Sequence, residues 1–464
     1  MPRFTRYLLL LFLSISGNRL FGAEAPTAEA GILDLSHWNW YSDDIVTLEG
    51  EWTFYWNELI PPKKIDGTEV QPDYIQVPGS WNNLEIEGKD LDRYGYATYR
   101  LKVRLHDQKP VLALRLPPIR SAFTLWVNSE LVAKSGSVGK SKENAVPAYS
   151  PGLVAIHPDA PTLDLVIHVS NFRHRNAGIG FGIELGLHDK VSRVHRNESL
   201  YEIFLMAMLF IMGFYHFGLY WLRKGDRYTL YFGLFCVAAM IRVPLEGQYI
   251  YYQIFPDQFL LPSLKLDYLT ILFMGLFFCR FLYEMFREEW HPMAMKALTA
   301  AALVLNYVIL FLPISQTVWT IPLAQIIVLL GAMYTGYTCV LAVIRRRQGA
   351  VVLLIAMVIF TAFYINDLYF YSNQVHTGVL TTSGSIFLIL SQSILLSTRY
   401  AKAFSLTEVY AKTFQKFVPK QFLVRIAKDG IHSIELGNAE KDQGVILFSD
   451  IRGFTAISEQ LTPG

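Results

Sequence analysis

The spacing of apolar and polar residues changes character four times along the chain. Residues 1–23 carry Arg3 and Arg6, then an apolar run from Leu8 to Ile15, then small residues at Gly22 and Ala23. That run is shorter than the roughly 20 residues needed to cross a bilayer. It predicts a secretory signal, with an uncleaved N-terminal anchor as the alternative. From 30 to 190 the pattern is alternation with period two. Ala97–Val103, Phe123–Val127 and Leu163–Val169 each alternate and are bounded by Gly, Pro, Asn or Ser. Such runs predict half-buried strands, and many short ones with turn residues between them predict an all-β sandwich or jelly roll.

Residues 200 to 398 lose the alternation and hold long apolar runs. The expected spans are 200–222, 229–250, 260–282, 294–313, 318–344, 350–371 and 378–398, a seven-helix α transmembrane bundle. The basic residues flank alternate links. Arg223, Lys224 and Arg227 follow the first span, and Arg280, Arg287 and Lys296 surround the link after the third. Arg345, Arg346 and Arg347 follow the fifth, and Arg399 and Lys402 the seventh; Lys265 is the exception on the other side. By the positive-inside rule the N-terminal domain lies outside and the C-terminus in the cytoplasm. A bacterial inner membrane with a periplasmic N-terminal domain satisfies this topology and the signal segment together.

Composition agrees with that division. Of 464 residues, 52% are hydrophobic, 17% charged and 14% aromatic, and mean hydropathy is +0.28. A soluble protein carries about 25% charged residues, so the deficit points to membrane-embedded mass. The formal net charge of +2 gives no case for a nucleic-acid partner. Cys236, Cys279 and Cys339 all fall in apolar runs, which argues against a disulfide framework or a cysteine zinc site.

Four ionisable residues interrupt the spans: Arg242, Glu246, Asp267 and Asp367. Intramembrane charges tend to pair or to line a pathway. Arg242 and Glu246 are four apart and would share a helix face. All four fall toward the outer half of the membrane. They form either a cluster that couples the outer domain to the helices or a static interhelical ion pair.

After the last span, Ala403, Leu406, Tyr410, Thr413 and Phe417 are spaced three and four apart, and Pro419 ends the pattern. Residues 399–424 therefore form a signalling helix or linker: either a dimerising seam or a membrane-exit helix with one apolar face. Val445–Phe448 is then a short strand by composition, followed by Ser449-Asp450-Ile451-Arg452-Gly453-Phe454-Thr455 and a helix from Ala456 to Leu461. An Asp closing a strand suits a divalent ion. Gly453 allows a close turn, and Thr455 is a candidate N-cap at a helix start that offers N–H groups to phosphate.

This string resembles the first metal-binding motif of class III adenylate and guanylate cyclases. Lys416-Phe417-Val418-Pro419 and Ile434-Glu435-Leu436-Gly437 resemble the lead-in of bacterial members, and Ile457–Pro463 also fits. The resemblance implies that 432–464 begins an α/β (ferredoxin-like) cyclase domain. It implies that Asp450 and the Ile451 carbonyl bind metal, with two Mg²⁺ or Mn²⁺ ions in the complete domain. It further implies that Arg452, Gly453, Phe454 and Thr455 meet the triphosphate of ATP or GTP, and that the active site forms in a homodimer. The chain ends at Gly464, fourteen residues after Asp450. The second metal aspartate, the base-selecting residues and the remaining catalytic residues are expected beyond that point.

In the first third, Leu48–Trp56, Val77–Trp81, Gly95–Arg100 and Leu125–Asn128 follow one another in an order that resembles two groups of domains. One is the sugar-binding jelly roll of β-galactosidase-like glycoside hydrolases, and the other is the periplasmic sensor domains of bacterial seven-helix receptors. Trp38, Trp40, Trp52, Trp56, Trp81 and Trp126 all lie here. They either stack on sugar faces or fill the core. The resemblances together imply a receptor of the seven-helix diverse intracellular signalling type, sensing a small molecule or carbohydrate outside the bilayer and making a cyclic nucleotide inside. A non-catalytic carbohydrate-binding membrane receptor is the alternative. A transporter with an accessory domain is more remote, because neither an inverted repeat nor a broken-helix pair is present in the sequence.

Overall fold

The computed structural model describes residues 25–42, 44–86, 88–106, 110–119, 121–149, 151–174, 177–255, 260–371, 379–417, 449–450 and 452–460. The signal segment 1–23, Pro419, Ile434–Gly437, Val445–Phe448, Ile451 and Leu461–Pro463 lie outside the described residues.

The N-terminal region is sheet-rich. Its strands are β1 (Ile32–Leu35), β2 (Val46–Thr47), β3 (Gly50–Trp56), β4 (Asp73–Val77), β5 (Glu85–Ile86), β6 (Lys89–Asp90) and β7 (Gly95–Leu105). β8 (Leu112–Leu116), β9 (Ala122–Val127), β10 (Glu130–Ser135), β11 (Gly152–Ile156), β12 (Thr162–Asn171) and β13 (Glu184–Leu187) follow. A seven-stranded sheet runs in the order β10-β9-β12-β7-β3-β4, with β1 parallel to the far half of β7. A four-stranded sheet runs β11-β8-β13-β2. The three alternating runs that predict strands lie on β7, β9 and β12, which are consecutive neighbours in the larger sheet.

The alternation decides what each face covers. On one face of β7, Ala97, Tyr99, Leu101 and Val103 join a core shared with Leu112, Leu114 and Leu185 of the smaller sheet. Trp52, Trp81, Phe54 and Tyr99 are almost wholly enclosed there, each contributing about 1.5–3 kcal/mol by burial. The other face is covered too. A 3-10 turn at Pro62–Gly67 brings Ile60 and Ile65 against Tyr55 and Val166. The polar residues of β7 on that face are therefore bonded. Thr98 Oγ1 donates to the Glu58 carbonyl at 2.7 Å and accepts from Ile60 N at 3.0 Å. Arg100 donates to Asp164 and Asp66 at 2.7–2.8 Å.

The helical region follows as α1 (His188–Leu222), α2 (Arg227–Arg242), α3 (Leu260–Met285), α4 (Pro292–Phe311), α5 (Ile321–Ile344), α6 (Ala350–Tyr371) and α7 (Thr381–Phe417). The first helix begins at His188 rather than near 200, directly after β13. The second expected span, 229–250, is not one helix. It stops at Arg242 because Pro244, which has no backbone N–H, cannot continue the ladder, and a 3-10 turn at Val243–Leu245 follows. Among the described residues six helices, α1 to α6, are long and apolar enough to cross a membrane. The seventh expected span lies on α7, whose first turns include Thr381, Thr382, Ser383 and Ser385 and are less apolar.

Burial here is inverted relative to the sheets. Ile211, Trp221 and Ile344 are exposed, whereas Thr335, Thr338, His216 and Asn306 are buried. A lipid-facing surface has that composition, because lipid covers apolar side chains and polar ones turn inward. Arg345 and Arg347 pair with Glu289, and Arg347 also with Glu288. These ion pairs bring the basic links after α3 and α5 to one end of the helices. Residues Met1–Gln392 make one compact unit and Ser393–Gly464 a second.

Candidate functional site

Three of the four intramembrane charges converge. Arg242, the last residue of α2, donates from Nη1 to Asp267 Oδ1 at 2.7 Å and to the Asp267 carbonyl at 2.8 Å, both on α3. Its other terminal nitrogen pairs with Glu246. Glu246 lies beyond the 3-10 turn in extended backbone, so the pair is four residues apart without sharing a helix face. One guanidinium thus faces two carboxylates, with side-chain exposures of only 10–17% among the three. Removing one partner from so enclosed a group is costly.

Asp367 on α6 is placed differently. Its oxygens accept from Leu380 N at 2.7 Å and Thr381 N at 2.9 Å, satisfying free donors where α7 begins. It lines the same cavity of about 170 Å³ as Arg242, Glu246 and Asp267. Tyr149 of the sheet region reaches that cavity. Its ring packs edge-on against Tyr249 at 6.1 Å and Tyr252 at 5.3 Å.

A second junction escapes sequence reasoning. Arg115 on β8 donates to Glu184 on β13 at 3.1 Å, pairs with Glu198 on α1, and donates to Gln248 at 3.1 Å. The signal available was an arginine within the otherwise apolar run Leu112-Ala113-Leu114-Arg115-Leu116; in the structure it is half-buried. Its partners lie 69 to 133 residues away, a distance that periodicity does not bridge.

The tryptophans belong to the core more than to a surface. Trp38, Trp40, Trp52 and Trp81 are buried. Trp56 is half-buried, stacked on Phe54 and edge-on to Trp81. Trp126 is half-buried against His168 at 4.6 Å. Burial lowers the His168 pKa, partly offset by the hydrogen bond its Nε2 makes to the Ile60 carbonyl at 2.8 Å.

At the C-terminal end Asp450, Arg452, Gly453, Phe454 and Thr455 are exposed. Gly453 has φ +76°, a left-handed turn open to glycine without strain. Helix α8 (Phe454–Gln460) starts directly after it. Thr455 is consequently inside the first turn and not its N-cap, and its carbonyl accepts from Ser458 Oγ at 2.9 Å. Ile451, the other expected metal ligand, lies outside the described residues. Among the described residues no group of three His, Cys, Asp or Glu side chains could hold a metal ion.

Residues 198–399 match the family described as 7TM diverse intracellular signalling. An adenylate cyclase of Anabaena cylindrica is 47% identical over 51 residues, 11% of this chain. The match spans about a tenth of that relative's length. Among solved structures, a β-glucuronidase from Ruminococcus gnavus is 15% identical with a TM-score of 0.23, covering 30% of this chain and 28% of that one. A GH2 β-galacturonidase from Eisenbergiella tayi is 19% identical with a TM-score of 0.22, covering 31% and 24%. These structural likenesses are too distant to carry function. The helices and the family match together make the chain a multi-pass membrane protein that carries a transmembrane receptor signalling module.

Proposed function

We propose that the chain is the receptor part of a signalling nucleotide cyclase of a bacterial inner membrane. In this reading the two sheets form a periplasmic β-sandwich of jelly-roll type that binds a small molecule or carbohydrate. Seven helices cross the membrane, and the C-terminal residues begin a class III cyclase domain that works as a homodimer. The observation that carries the receptor reading is continuity. β13 passes into α1 without a connecting loop, and Arg115 ties both to the turn after α2. An event in the sheets therefore has a covalent and an ionic route to the helices. The local adenylate cyclase match and the string Ser449–Thr455 support the cyclase output.

The metal expected there has one described carboxylate, Asp450, which is exposed. Its hard oxygen suits such an ion, and Ile451, the other ligand the resemblance implies, lies outside the described residues. Two hard cations with oxygen ligands, if held in the complete domain, would activate a ribose hydroxyl and neutralise phosphate charge.

The test uses membranes carrying the protein with a complete cyclase domain, given ATP or GTP and Mn²⁺. Cyclic nucleotide should form, and Asp450→Asn should lower the rate by about a hundredfold. An unchanged rate in Asp450→Asn, or no product with either nucleotide, would remove the cyclase output from this reading.

A further inference from the structure

A second cavity, of about 480 Å³, lies where the sheet region meets the helices. That size suits a small organic molecule. Arg115 and Phe181 line it from the sheet side, and Glu198, Glu202, Gln248 and Phe370 from the helical side.

Its ionisable lining is mostly acidic: Glu49, Glu184, Glu198, Glu202 and Glu246 against Arg115 and His195. Arg115 is already engaged by Glu184, Glu198 and Gln248. The Gln248 amide is fixed as well, its Nε2 donating to Glu198 at 2.8 Å while its Oε1 accepts from Arg115 and lies 3.0 Å from His195 Nδ1. Glu246, also in the lining, is held by Arg242. No lysine, and no arginine other than Arg115, contributes to the lining among the described residues, so no further lysine or arginine there meets the Glu202 carboxyl.

Glu202 is also half satisfied. Its Oε1 accepts from Gln248 N at 2.7 Å. Its Oε2 is buried and has no hydrogen-bond partner among the described residues. This contact depends on Gly247, at φ +59°, where an added Cβ would lie 2.0 Å from Glu202 Oε1. The backbone thus brings a carboxylate into the wall and leaves one oxygen unpaired. An unpaired buried oxygen is costly, and a donor bearing positive charge would hydrogen-bond it and hold the carboxyl in its ionised form. In the same wall the rings of Phe181 and Phe370 stack at 5.4 Å and 30°, offering apolar area beside the carboxylate.

We propose that this cavity binds a small organic ammonium ion, with Glu202 Oε2 accepting its N–H groups and the Phe181–Phe370 pair covering its apolar body. The inference rests on the receptor reading only in making the bound cation the sensed molecule.

The full chain in lipid nanodiscs would be titrated calorimetrically with benzylamine, 2-phenylethylamine and 4-phenylbutylamine. 2-Phenylethanol serves as the uncharged counterpart. At least one amine should bind saturably, and the alcohol should bind at least about tenfold more weakly than 2-phenylethylamine. Glu202→Gln should weaken amine binding by about tenfold or more, with Glu202→Asp weakened less because it keeps the charge. Equal binding of alcohol and amine, unchanged binding in a folded Glu202→Gln, or no saturable binding of any of the three amines would overturn the proposal. The amine–alcohol comparison needs no variant, so it decides even if Glu202→Gln does not fold. None of these readings needs nucleotide turnover. Amine binding without cyclase activity would leave the site standing and remove the output. A cyclase response to some other ligand, without amine binding, would remove the site alone.

Discussion

The sheet region and the helical region use similar residues in opposite senses. In the sheets, large aromatics are inside: Trp52, Trp81 and Phe54 have no measurable exposure. In the helices, Ile211, Trp221 and Ile344 are 67–81% exposed while Thr335 and Gln392 are fully buried. The difference lies in the solvent each surface was selected to meet, and it changes the worth of a given side chain. Arginine shows it well. Arg100 in the sheets and Arg242 in the helices each face two carboxylates. One partner of Arg100, Asp66, is 72% exposed, whereas both partners of Arg242 are enclosed.

The largest expected effect tests the aromatic half of this contrast. Trp81→Ala should destabilise the sheet region by about 3–5 kcal/mol, because a cavity forms in a packed core. It also removes the Nε1 donor to the Asp92 carbonyl at 3.1 Å. Ile211→Ala should change stability by less than about 1 kcal/mol. Urea midpoints read by pulse proteolysis of the full chain would give both, and similar losses would break the inversion.

The arginine pair comes next. Asp267→Asn should cost about 3 kcal/mol, since Arg242 loses a partner in an enclosed site. Asp66→Asn should cost less than about 1 kcal/mol, as expected for an exposed ion pair. The Arg100 hydrogen bond holds the Asp66 carboxyl below the usual carboxylate range, but solvent screens most of its value. Comparable melting temperatures for the two variants would erase the distinction between the regions.

The smallest effect is confined to the sheets. His168 is held neutral by burial, with its pKa lowered. Below about pH 6.5 the unfolded chain binds a proton that the native ring resists. Stability is therefore full above that pH and declines as the pH falls toward the native value. His168→Gln should flatten this slope in acid denaturation of the full chain. An unchanged slope would show that His168 does not set it.

The alternating runs were readable because period two directs side chains to fixed faces, and β7, β9 and β12 follow from it directly. The parallel pairing of β1 with β7 was not readable, because four residues carry no signal for a partner some 70 positions away. Within the helices, the spacing of Arg242 and Glu246 pointed to a pair. It did not reveal that Pro244 ends the helix between them, nor that α2 and α3 bring Asp267 to the same guanidinium. Asp367 was expected in that cluster by depth alone; hydrogen bonding to the start of α7 claims it instead. The C-terminal string was legible as wording, and its helix starts two residues earlier than the pattern suggests. Glu202 was unremarkable in sequence, since its setting is made by Gly247 and Gln248, which approach it only in three dimensions.

The join between β13 and α1 has a mechanical meaning. With no loop to absorb rotation, the helix is a rigid continuation of a sheet strand. Its 35 residues make a rod roughly 50 Å long at about 1.5 Å per residue. Tilting its base by roughly one degree moves the far end by roughly 1 Å. A displacement too small to alter any hydrogen bond among the strands is thereby magnified into one that side-chain packing at the opposite end of the helix must accommodate.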